Sequence, residues 1–106
     1  MPADLIAHIP PFDPEILGDV AGQIINEIER QDDLARAGKF GGTHALPGGP
    51  DEARLRVLVE EVGEVAKELN EIDQGNSNRG DALLAELIQT AACAGAWAAA
   101  ILEGRD

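Results

Sequence analysis

The segment that most constrains this chain is LLAELIQTAACAGAWAAAIL, residues 83–102. It is dense in Ala and Leu, which favour helix, and as a helix it is apolar on nearly every side. A helix without a polar face belongs inside something. The other elements of a 106-residue chain cannot surround it, and its Ala and Gly surface invites close approach by a neighbouring backbone. Burial in a homo-oligomer is therefore expected, a dimer or a tetramer. The core would then be of the four-helix type, completed by oligomerisation. Glu86 is the only charged side chain between Asp81 and Glu103.

Two further helices precede this one. Asp13-Pro14-Glu15 reads as an N-cap, a proline at the first helical position and an acid in the first turn. Ile16, Leu17, Val20, Ile24, Ile28 and Leu34 then recur at helical spacing up to a stop at Gly38. Pro50-Asp51-Glu52 opens a second helix that runs to about Ile72. Its Leu55, Leu58, Val59, Val62, Val65, Ala66, Leu69 and Ile72 form one broad apolar stripe. DQGNSNRGD breaks the pattern, Asp81 is the expected cap of the third helix, and Gly104 its end. No segment has the alternation of a strand. The fold class is all-α: a single domain, 1–106, with three long helices. Residues 1–12 form an extended arm, and 38–50 a Gly/Pro-rich loop. That loop, GKFGGTHALPGGP, carries Lys39 and His44 and reads either as a functional loop or as a plain connector.

Twenty acidic residues against eight basic ones give a net charge of −12, which disfavours a nucleic-acid polymer or an anionic membrane as partner. A small phosphorylated ligand remains compatible if metal ions bridge the two negative partners. The one cysteine, Cys93, cannot close a disulfide within the chain and suits a reducing compartment. The N-terminus lacks the pattern of a signal peptide. The apolar run from Ala91 to Leu102 is short of the ~20 residues that span a bilayer. The expected location is cytoplasmic.

Glu60, Glu61 and Glu64 occupy adjacent rows of the second helix, with Glu68 below them. Their mutual repulsion and the helix-weakening Gly63 between them make this a segment that breaks two local preferences at once. Alone, the run reads as a solvated face. Glu86 alters that reading, because a carboxylate on so apolar a helix must be paired, protonated or bound to metal. If the second and third helices pack antiparallel, Glu86 comes opposite the Glu-rich run. Converging carboxylates are what a hard cation needs, Mg²⁺ by default and Mn²⁺ as a variant. Ion pairing of Glu86 is the structural alternative.

Glu60-Glu61-Val-Gly-Glu64, followed by Glu86 on the next helix, resembles the EExxE and ExxD motifs of the MazG-like all-α NTP pyrophosphohydrolase superfamily. The stretch ERQDDLARAGKFG, residues 29–41, is similar to that family as well, so the likeness extends from about Ile24 to Leu102. The resemblance implies a MazG-like helical bundle and Mg²⁺-dependent hydrolysis of a nucleoside triphosphate to the monophosphate and pyrophosphate. It implies Glu61, Glu64 and Glu86 as metal ligands, with Glu60 and Glu61 in the catalytic positions. The second motif reads Glu86-Leu-Ile-Gln89, with Gln where the family has Asp. An amide oxygen can ligate metal but adds no charge, so weaker metal binding or fewer ions are expected. Lys39 and Arg79, chosen by charge, are the candidate phosphate contacts. The alternatives are a non-catalytic nucleotide-binding or protein-interaction module with a degraded metal site, and a purely structural bundle.

Overall fold

The structure, a computed structural model, describes residues 8–38 and 51–104. It is all-α, with no strand among the described residues. Helix α1 spans Pro14–Arg36, α2 spans Asp51–Asp73 and α3 spans Leu84–Glu103, with a π-helical turn at Arg79–Leu83 leading into α3.

The helix ends follow from local chemistry. Asp13 caps α1 by accepting from the Glu15 N–H at 2.8 Å. Gly38 and Gly104 sit at φ +71°, the left-handed conformation that closes a helix without a Cβ penalty. The expected cap of α3 is corrected. Asn78, not Asp81, accepts a backbone hydrogen bond, from the Asp81 N–H at 2.7 Å. Asp81 lies inside the π-helical turn, three residues past that cap, where its own backbone N–H is the one being capped. The loop with Lys39 and His44 lies outside the described residues except for Gly38, and so does the arm before residue 8.

Helix α3 is the middle element and packs against both α1 and α2. It runs antiparallel to α2: Trp97, near its end, donates from Nε1 to Asp51 Oδ1 at 2.9 Å, at the start of α2. The contact with α1 is close because of Gly95. A Cβ added there would meet Ile28 Cδ1 at 3.1 Å and Ile24 Cγ2 at 4.0 Å. Gly95→Ala should be nearly neutral, since the Ile28 tip can rotate away and alanine gains helix propensity. Gly95→Val has no such escape and should cost about 1–3 kcal/mol in a urea titration. Equal stability of the two variants would show that α1 does not press on this point.

The core is thin. Among the described residues, Ala35, Leu83, Ala92 and Ala100 are its buried apolar members, and no large side chain is completely enclosed. The broad stripe of α2 divides in two. Leu58, Val65 and Ile72 are half-buried, whereas Leu55, Val59, Val62, Ala66 and Leu69 are exposed. A stripe that wide covers more than one helix can bury against a single neighbour.

Candidate functional site

Helices α1 and α2 flank a valley floored by α3, and acidic side chains enter it from all three. From α2 come Glu61, half-buried, and Glu64, exposed; from α3 comes half-buried Glu86. The antiparallel course of α2 and α3 therefore meets the condition on which the pairing of Glu86 with the Glu-rich run depended. Glu61 Oε2 and Glu86 Oε2 are shielded from solvent and have no hydrogen-bonding partner. A bare buried carboxylate oxygen is costly, so two on facing helices mark the valley as the place where this chain gives up stability.

The electrostatics point the same way. Burial pushes the Glu61 carboxyl above its ordinary value, and the charges of Glu86, Glu64, Glu60 and Glu27 push it further. Burial raises Glu86 too, with Glu64 and Glu68 adding to it and Lys67 opposing. Lys67 is thus the cation that Glu86 feels. No ion pair between Glu86 and exposed Arg79 occurs among the described residues. Glu68 is engaged elsewhere, accepting from Ser77 Oγ at 2.8 Å. The Thr90 hydroxyl donates to the Glu86 carbonyl at 2.8 Å, a bond that leaves the Glu86 carboxylate unaffected.

Sequence reasoning missed Glu27. It stands on α1, close enough to raise both Glu61 and Cys93. Arg30 grips it through Nε at 2.8 Å and Nη2 at 2.6 Å, and Gln31 donates at 3.0 Å. These hydrogen bonds hold its carboxyl below the ordinary value. The available signal was an acid at the edge of the apolar face of α1 with Arg30 one turn on. That pattern is common on solvated helices and does not single out a site.

Cys93 lies half-buried in the same valley, and its thiol is pushed up to about 11, by burial first and then by Glu61 and Glu27. At pH 8 it should therefore react with iodoacetamide about 100-fold more slowly than an ordinary thiol. Glu61→Gln should speed that reaction. An unchanged rate would separate Cys93 from the carboxylates.

The donor set is all oxygen and suits a hard divalent cation. As they stand, however, no three His, Cys, Asp or Glu side chains are gathered tightly enough to hold a metal ion among the described residues. Gln89 is half-buried one turn beyond Glu86. It also lines an open groove of about 380 Å³ between α1 and the start of α3, with Gln23, Asn26, Glu27, Gly80 and Asp81. Glu60 is exposed on the outer side of α2, and Arg79 on the π-helical turn beside the groove. Lys39 is outside the described residues.

Comparison of the chain with known protein families, curated proteins and solved structures gave no match.

Proposed function

We propose that this protein is a Mg²⁺-dependent nucleoside triphosphate pyrophosphohydrolase of the MazG-like type, releasing pyrophosphate and the monophosphate from an NTP or dNTP. The observation that carries the reading is the pair of buried, partnerless oxygens, Glu61 Oε2 and Glu86 Oε2, on facing helices. They are donors without an acceptor of their charge, and a divalent cation is the smallest ligand that would satisfy both. Glu61, Glu64 and Glu86 would hold it, with the Gln89 amide oxygen as a neutral fourth contact; Mn²⁺ would fit the same oxygens. When bound, the ion neutralises charge on the phosphoryl oxygens and makes water a better nucleophile.

The chain's own groups supply the rest. Glu61, which faces Glu86 across the valley, would accept a hydrogen bond from the attacking water. Glu60, exposed on the outer side of α2, acts on the site through its charge, which raises Glu61. The neighbouring groove, with its side-chain amides and the Gly80 backbone, offers both donors and acceptors to a nucleoside. Arg79 borders it and would meet the phosphates, as would Lys39.

The test is pyrophosphate release from a panel of NTPs and dNTPs with Mg²⁺ or Mn²⁺. No release from any nucleotide with either metal would sink the hydrolase reading. The ungathered carboxylates and the Gln at 89 favour one alternative, a nucleotide-binding module that has lost catalysis. Nucleotide- and Mg²⁺-dependent thermal stabilisation without turnover would single it out.

A further inference from the structure

Glu27 reaches the valley from α1 already paired, and the pair has a direction. The Glu27 side chain is 13% exposed and that of Arg30 is 53% exposed, so the carboxylate turns inward and the guanidinium outward. Ion pairs at this spacing on a solvated helix leave both ends in water and contribute little. Here the pair instead carries a negative charge under cover, into a place where Glu61 Oε2 and Glu86 Oε2 already lack partners. Two neighbours fix where it stands. Ile28, the next residue, packs on Gly95 of α3, and Glu27 itself shares a groove wall with Ile88 and Gln89. Glu27 therefore lies over the stretch of α3 between residues 89 and 95, just beyond Glu86.

Its hydrogen bonds hold the carboxylate still and leave part of it unused. Oε2 accepts from Arg30 Nη2 and from Gln31 Nε2, which fills both of its acceptor sites. Oε1 accepts from Arg30 Nε alone among the described residues, so it can take one hydrogen bond more. A carboxylate fixed by three donors, with one acceptor site to spare, is suited to orient water and to add charge beside a metal ion without touching it.

We propose that Glu27 is a positioning residue for the divalent cation of Glu61, Glu64 and Glu86, accepting from the ion's water shell through Oε1 and supplying the negative charge that Gln89 does not carry. The inference rests on the metal-site reading above. No three acids are gathered tightly enough to hold a bare ion among the described residues. Mg²⁺ keeps several waters when a protein binds it, so acceptors for those waters count beside the direct ligands. Glu27 and Gln89 border one groove from different helices; the first brings charge, the second a neutral amide. Arg30 is the brace of this arrangement. It keeps Glu27 ionised while its own charge stays at the surface, clear of the cation.

The experiment is calorimetric titration of the full chain with Mg²⁺ and with Mn²⁺, alongside circular dichroism for helix content. Glu27→Gln should weaken Mg²⁺ binding about 10-fold with helix content unchanged. Glu29→Gln removes the same charge from an exposed position on α1 and should leave the affinity as it is. Adding Gln89→Asp to Glu27→Gln should return the affinity to about the native value, because the missing charge is put back on the other wall of the groove. Equal affinity of the native chain and Glu27→Gln would overturn the proposal and leave the metal site standing. Equal weakening by Glu29→Gln would overturn it too, since net charge alone would then account for the effect. A native chain that binds neither ion would overturn this proposal and the metal site together. Binding that weakens at position 27, in a protein that releases no pyrophosphate, would support the proposal and remove only the hydrolase.

Discussion

Glu86→Gln should make the metal-free protein more stable and slow metal-dependent pyrophosphate release by more than about 100-fold. The rate effect follows from losing a direct ligand, since groups that merely support a metal ligand are often worth about 10–100-fold. The stability effect follows from removing a charge that is buried and unpartnered and that has three acidic neighbours to repel it. Its pH dependence has a definite sign. The Glu86 carboxyl in the folded chain lies above its ordinary 4.5, so its ionised form is what folding disfavours. Below the ordinary value both proteins carry a neutral group there, and their melting temperatures should coincide. As pH rises through the elevated folded value, the native protein alone acquires the charge, and the variant should draw ahead. Saturating Mg²⁺ should close the gap by stabilising only the native protein. Melting curves across pH, with and without metal, test each part. A variant less stable than the native protein at neutral pH would mean that Glu86 has a structural partner.

Gln89→Asp should bind Mg²⁺ and Mn²⁺ about 10-fold or more tightly. An added carboxylate one turn beyond Glu86 contributes more than ~1 kcal/mol of attraction to a divalent ion at contact, even in a fairly polar medium. The same substitution should destabilise the metal-free protein, because it adds another acid to a valley already short of cations. Isothermal titration calorimetry measures the first effect and thermal melting the second. Unchanged metal affinity would place Gln89 outside the coordination sphere and leave it to the groove that it also lines.

The positions of the helices were legible because each end is written in short-range chemistry. Asp13-Pro14-Glu15, Pro50-Asp51-Glu52 and Gly104 hold the same meaning in any fold. Asn78 in place of Asp81 was not legible, because two residues able to cap stand three positions apart and the π-helical turn decides between them. The Glu61–Glu86 pairing was legible conditionally, through a lone acid on an apolar helix. Glu27 was not, because Arg30 and Gln31 make it look like an ordinary surface acid.

The sequence by itself determined three helices, their ends, and the presence of more apolar surface than one short chain can bury. Those are properties of local propensity and of composition. Only the tertiary structure decided which half of the α2 stripe turns inward and on which side of the α2–α3 pair the valley lies. It alone brought Glu27 and Cys93 beside Glu61. These depend on how helices rotate about their axes when they pack, and that rotation is set by the neighbours, among them the close approach at Gly95, rather than by any single segment.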